Sequence, residues 1–167
     1  ALSIDFNVKD KKGMTGFIRS CATGHSKVVK ILMENAAALS INLNEKDNAG
    51  WTGFHFACSE GLKDVVKTII KNATALSINL NEQDYAGLTG FHKVCDEGHA
   101  DIANILTENA TPLRIDLNIK NNDGKTGFIK SCGNGHSKVV KILMENAATL
   151  GIDLNEKDNK GWSGFHY

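Results

Sequence analysis

The sequence predicts an all-α solenoid built from stacked helix–turn–helix units, and three observations carry that prediction. A cysteine recurs every 37 residues, at Cys21, Cys58, Cys95 and Cys132. The phrase Thr15-Gly16-Phe17 returns in the same register as Thr52-Gly53-Phe54, Thr89-Gly90-Phe91, Thr126-Gly127-Phe128 and, with serine, Ser163-Gly164-Phe165. Between these landmarks the apolar residues fall at helical spacing. A fixed period of this length means one supersecondary unit stacked on copies of itself, with the core lying between units. The period divides the chain into about four and a half units: residues 1–9 as the tail of one, then 10–46, 47–83, 84–120 and 121–157, with 158–167 opening another.

Each element follows from local chemistry, most legibly in residues 47–83. Asp47-Asn48-Ala49-Gly50 is a turn sequence, since Asp bonds its own backbone and Gly accepts positive φ. Thr52 is an N-cap, its hydroxyl placed to accept from the first free amides of a helix. Phe54, Ala57 and Cys58 then share one face of a short helix, and Gly61 ends it. Val65, Val66, Ile69, Ile70 and Ala73 mark a second, longer helix. Leu76 to Asn81 leads out in extended form to the next turn at Asp84.

Those residues resemble the ankyrin repeat. That family's unit runs Asp, two variable residues, Gly, one variable residue, Thr-Pro-Leu-His, a small-residue pair, Gly-His, a Val-Val and Leu-Leu helix, and a return ending Asp-Val-Asn. The matching stretches here are Asp84-Tyr85-Ala86-Gly87-Leu88-Thr89-Gly90-Phe91-His92, Gly98-His99 and Ile115-Asp116-Leu117-Asn118. The resemblance spans the chain and implies an ankyrin-like solenoid with β-hairpin or turn fingers. Three departures stand out. Gly replaces the family's Pro at 16, 53, 90, 127 and 164; Ile18 and Ile129 replace the motif His; and each unit exceeds the usual 33 or so residues. The extra residues follow the second helix, as in Glu34 to Leu39, which predicts a lengthened second helix. Because Pro is preorganised at the first helical position, Gly53→Pro and Gly90→Pro are each expected to stabilise by about 0.4–1 kcal/mol. Tetratricopeptide and leucine-rich repeats do not place a Thr-capped short helix followed by Gly-His at this spacing.

Composition narrows the function. The 167 residues are 41% hydrophobic, enough for a sizeable core, and Lys plus Arg equals Asp plus Glu at 19 each. No net field draws the chain to nucleic acid or to a membrane surface, and no apolar run reaches bilayer length. The four cysteines share one repeat position, so units stacked roughly 10 Å apart keep them beyond the ~7 Å Cα separation of a disulfide. Reduced, buried thiols suit a cytoplasmic chain.

Catalysis finds little support. His55 with Cys58 and His92 with Cys95 each share a helical face and could be read as zinc ligands. Ile18 and Ile129 break the set, however, and in the resembled family the matching His bonds its own Thr and neighbouring backbone. Gly24-His25, Gly98-His99 and Gly135-His136 read as helix linkers, and no phosphate-binding loop or converging carboxylate pair is present. The expectation is a non-enzyme without cofactor or metal.

Function then belongs to the surface. The slots that vary from unit to unit are Lys11, Lys12 and Met14; Asn48, Trp51, Ser59 and Glu60; Tyr85, Leu88, Asp96 and Glu97; Asn122, Asp123 and Lys125; and Trp162. The resemblance assigns turn tips and inner helices to a concave groove that grips a partner protein. Met14, Trp51, Leu88 and Trp162 share the slot before the cap, and Trp51, Tyr85 and Leu88 are expected to form its centre. Glu60, Asp96 and Glu97 make the middle acidic; Lys11, Lys12 and Arg19, and Lys125, Lys130 and Lys160, make the two ends basic. The competing reading of the tryptophans is packing against the next turn. Rival functions are a structural spacer or designed scaffold without a specific ligand, and a regulatory segment of a larger enzyme. Gly24 to Ala37 is identical to Gly135 to Ala148, which suggests duplication or design, and neither end carries a polar cap, from which end-to-end self-association is expected.

Overall fold

The computed structural model describes residues 4–167. Among them run eight α-helices, α1 (Gly16–Ala22), α2 (Ser26–Glu34), α3 (Gly53–Ser59), α4 (Lys63–Asn72), α5 (Gly90–Glu97), α6 (Ala100–Leu113), α7 (Gly127–Gly133) and α8 (Ser137–Leu150), closing on a 3₁₀ turn at Gly164–His166. Helices α1, α3, α5 and α7 stack in one row and α2, α4, α6 and α8 in a second row packed against it. The core lies between the rows and between units: Phe17, Phe54, Phe91 and Phe128 with Cys21, Cys58 and Cys95 from the first row, and Val29, Val66, Ala103 and Leu143 with Met33, Ile69 and Leu106 from the second. The Thr caps form as the sequence predicts. Each of Thr15, Thr52, Thr89 and Thr126 accepts from the amide three residues on.

The glycine after four of the five caps serves the core, which overturns the expectation for proline. A Cβ on Gly90 would stand 2.6 Å from Cε1 of Phe54 and 3.1 Å from Sγ of Cys58. On Gly127 it would meet Phe91 at 2.5 Å, and on Gly53 it would meet Cys21 Sγ at 2.8 Å and Phe17 at 3.0 Å. The phenyl ring of one unit therefore occupies the space that a larger residue would need at the next cap. Gly53→Pro and Gly90→Pro are disfavoured for that reason, however well proline's φ suits the position. Gly16 alone of the five has, among the described residues, no atom from outside its own helical turn within 4 Å of the added carbon.

The second helix is lengthened in only two of the four cases. Helices α6 and α8 run 14 residues, whereas α2 and α4 run 9 and 10. In the short pair the ladder slips to i→i−3, Ala36 N–H donating to Met33 O and Ala73 N–H to Ile70 O. Successive turns replace the rest of the helix. The ends are nonetheless the same. Ile41, Ile78, Ile115 and Ile152 donate to Ala36, Ala73, Ala110 and Ala147, each across a left-handed residue, Ser40, Ser77, Arg114 or Gly151. This is the Schellman closure, with the Ile buried at 41, 115 and 152 and half-buried at 78. Only the last unit has glycine at the left-handed position, so Ser77→Gly is expected to raise stability by about 0.5–1 kcal/mol, read as an increase in denaturation midpoint.

The fingers are turns, and no strand occurs among the described residues. Asp47 N–H donates to Trp51 O, and Gly50, at φ 82°, supplies the positive φ the turn needs. Adjacent fingers share one backbone bond each, Tyr85 N–H to Ala49 O and Asn122 N–H to Ala86 O. A β-ladder needs a run of such pairs, and the fingers are too short to supply it. The returns are tied by asparagines instead. Asn44 donates to Ser77 O and accepts from Asn79 N–H, and Asn81 does the same with Arg114 O and Asp116 N–H.

Candidate partner-binding face

Fingers and first helices present one continuous face, and the turn aspartates set its geometry. Oδ1 of Asp47 accepts the amides of Ala49 at 2.9 Å and Trp51 at 2.8 Å, which holds the finger at a fixed angle to α3. Asp84 does the same for Ala86 and Leu88. The second carboxylate oxygen reaches the residue nine positions on: Asp10 pairs with Arg19, Asp84 with Lys93 at 2.8 Å, and Asp158 accepts from the Tyr167 hydroxyl at 2.9 Å. The Asp84–Lys93 pair is buried, its side chains 3% and 8% exposed. Burial would raise the Asp84 pKa, but the Lys93 ammonium and the Leu88 and Ala86 amides outweigh it and hold the carboxyl below its ordinary value.

The pairing breaks at two positions. Phe56 stands where a partner for Asp47 belongs, and packs on Trp51 with ring centroids 4.8 Å apart. Asn121 replaces the aspartate in the fourth unit, and Lys130 turns to Asp96 at 3.0 Å. Repeat comparison singles out neither Phe56 nor Lys93 as a surface slot, although the nine-residue offset from Asp47 and Asp84 was the available signal.

The residues singled out from sequence fall into distinct environments. Lys11, Lys12, Glu60, Glu97, Asn122 and Asp123 are exposed. Tyr85, at 68% exposure, lies on its fingertip with one ring edge against Gly50 of the preceding finger, and Trp162 is 47% exposed against Tyr167. Ser59, Leu88 and Asp96 are half-buried, and Met14 is buried at 9%. Asn48 is exposed but donates to Lys11 O. Lys125 lies over the Tyr167 ring at 4.7 Å. Asp96 is engaged by Lys130 and by Asn134, and Arg19 by Asp10. Trp51 is held from both sides, by Phe56 and by Lys93, whose ammonium sits 4.0 Å from the indole centroid. Trp51→Ala is therefore expected to cost about 2 kcal/mol or more, since it removes core-like aromatic packing and the cation's cover together. Equilibrium denaturation measures it.

The histidines are structural members of the stack. The Thr89 amide donates to Nδ1 of His92 at 3.1 Å, and Nε2–H donates to Lys125 O at 3.0 Å, 33 residues on. His55 repeats this with Thr52 and Leu88 O. Each stands third in its helix and closes a capping box with its Thr, a place filled elsewhere by Glu or Gln. Both ring nitrogens are thus engaged as a neutral imidazole, with none free for metal. Burial lowers the pKa of both, that of His92 to about 4.

The cysteines are unpaired. Burial raises each of their pKa values, which makes the thiolate scarce. Cys132, the one that is half-buried, is expected to be alkylated by iodoacetamide well before the other three, as peptide mass mapping would show. Among the described residues there is no group of three or more His, Cys, Asp or Glu able to hold a metal ion, and no helix long and apolar enough to cross a membrane.

A family profile described as ankyrin repeats, in three copies, matches residues 2–84 and again 73–158. No curated protein sequence matched the chain. With helix pairs, fingers and cap chemistry all in place across the matched residues, the chain belongs to the ankyrin repeat family.

Proposed function

We propose that this chain is a non-catalytic protein–protein interaction module that binds its partner through the fingers and first helices. Ankyrin repeats in general bind protein partners, and one observation supports giving the role to this face. Slots that recur between units are buried, as with Phe17, Phe54, Phe91 and Phe128, while slots whose chemistry changes are mostly exposed on one side: Lys12, Ala49, Ala86 and Asp123 at the fingertips, and Thr23, Glu60, Glu97 and Asn134 at the helix ends. Variation confined to a solvated surface on a rigid scaffold is where specificity is built. Tyr85 and Leu88 stand at the centre of the proposed contact, with Lys11, Lys12 and Met14 toward one end and Asn122, Asp123, Lys125 and Trp162 toward the other. Trp51 supports the face from beneath. Free, buried thiols fit a reducing compartment, and the proposed setting is cytoplasmic.

A pull-down from cell extract tests the assignment, using the intact chain beside a Tyr85→Ala/Leu88→Ala double variant that leaves Trp51 in place. Loss of a specific protein from the variant lane supports the face. Identical lanes favour a spacer whose side chains here are interchangeable.

A further inference from the structure

We propose that the two central units form a docking surface for a cationic, apolar-bearing segment of a partner protein. The proposal rests on the placement of partner binding on the finger and first-helix face, and it specifies the chemistry of what binds there.

The first observation is the broken pairing at Asp47. Three turn aspartates use their second oxygen on the side chain nine residues on, a cation or a hydroxyl. At Asp47 that side chain is Phe56, and among the described residues nothing pairs with Oδ2. A half-exposed carboxylate beside a half-exposed phenyl ring accepts an incoming guanidinium or ammonium in the way Asp84 and Trp51 together hold Lys93.

The second observation concerns the opposite ends of the same helices. Glu60 caps the C-terminus of α3 and Glu97 is the last residue of α5, both exposed and neither in an ion pair among the described residues. A helix C-terminus carries partial negative charge, so an anion there is on the unfavourable side of the macrodipole. The corresponding positions at the ends of α1 and α7 hold the neutral Thr23 and Asn134. On this face the central two units thus carry three carboxylates outside any ion pair among the described residues, Asp47, Glu60 and Glu97, with Asp123 on the fourth finger beyond them, in a chain whose total charge is zero. Lys11 and Lys12 on the first finger and Lys160 on the last flank it. Negative centre and positive flanks select a segment with its cations in the middle, and the field guides its approach.

The apolar part of the match is Tyr85, 68% exposed on the fingertip next to the Asp47 turn, with Leu88 half-buried in the same finger. Tyrosine in that position supplies contact area at low entropic cost. Cation plus aliphatic or aromatic side chain is therefore the composition the surface complements.

The test is selection of a random dodecapeptide library on the folded chain, followed by affinity measurement of the winners by fluorescence anisotropy. Enrichment of Arg and Lys beside apolar residues, with affinity falling about tenfold or more in an Asp47→Asn/Glu60→Gln/Glu97→Gln variant and falling also with salt, supports the proposal. Winners that lose affinity on Tyr85→Ala but carry no cationic bias, or that ignore the carboxylate variant, overturn the charge assignment and leave the face standing. Winners unaffected by either variant, or no winners at all, overturn the proposal together with the face.

Discussion

Alanine at Gly90 or Gly127 is expected to destabilise the protein by about 1–3 kcal/mol, while alanine at Gly16 is expected to be neutral or slightly stabilising. All three glycines hold the first helical position after a Thr cap, so backbone entropy favours alanine equally at each. The difference lies 36 residues upstream. Phe54 and Phe91 press on Gly90 and Gly127 at distances that an added Cβ would bring to 2.6 and 2.5 Å, and nothing presses on Gly16. Each ring is buried in the core, where close packing leaves little room for it to retreat. Urea denaturation of the three variants measures the contrast, and equal effects at all three would remove the argument. The compensating pair carries the point further. Phe54→Leu alone is expected to destabilise by opening space, and Phe54→Leu with Gly90→Pro is expected to recover more than the single effects sum to, a positive coupling in a double-mutant cycle.

Acid is expected to unfold the protein earlier than its carboxylates alone would cause. Because burial depresses the His92 pKa to about 4 from 6.5, the unfolded chain binds a proton across that interval that the folded chain refuses. Stability is then fully present above about pH 6.5 and is lost progressively as pH falls to about 4, by about 3 kcal/mol for this residue. His55 shifts in the same direction and adds to it. The reason is visible in the bonding: a proton on Nδ1 would face the Thr89 amide, itself a donor. Asp10, Glu82, Asp84, Asp101 and Asp158 also have lowered pKa values, but their contribution falls away below their ordinary range near pH 4. The window from about pH 6.5 to 4.5 therefore isolates the histidines. Ile18 and Ile129 show that a buried isoleucine fits the same slot, and Lys125 O would keep its bond from Asn121 N–H. His92→Ile is accordingly expected to flatten the pH dependence of the melting temperature in that window, and the double variant with His55→Ile to abolish most of it. An unchanged slope in the double variant would place the titration elsewhere.

The two results bear on function through rigidity. The proposed selection of a partner by charge requires carboxylates at fixed spacing, and the spacing is set by units locked through Phe on Gly, His on carbonyl and Asn on return loop. Each lock spans one repeat, so stiffness is a property of neighbouring pairs and the candidate surface can vary without disturbing it.

Periodicity, cap and turn chemistry were enough to establish the repeat unit, the helices and the buried Phe, Cys and His positions. Those features are local, and five-fold repetition averages away the ambiguity of any single copy. Which slots vary between copies was legible for the same reason, and most of those slots are exposed, although Met14 is buried and Trp51 half-buried. Other properties waited for the tertiary structure. Gly53 and Gly90 read as missed prolines until rings from the preceding unit filled the space beside them. Trp51 read as an exposed anchor, yet Phe56 and Lys93 enclose it. Lys130 and Asp96 read as opposing charges at separate places on the groove, yet they neutralise each other. In each case the outcome depends on side-chain atoms meeting across an interface to within a few tenths of an ångström. A period in sequence states that two units are neighbours, but which atoms touch, and whether they leave room for one more carbon, is decided only when the units pack.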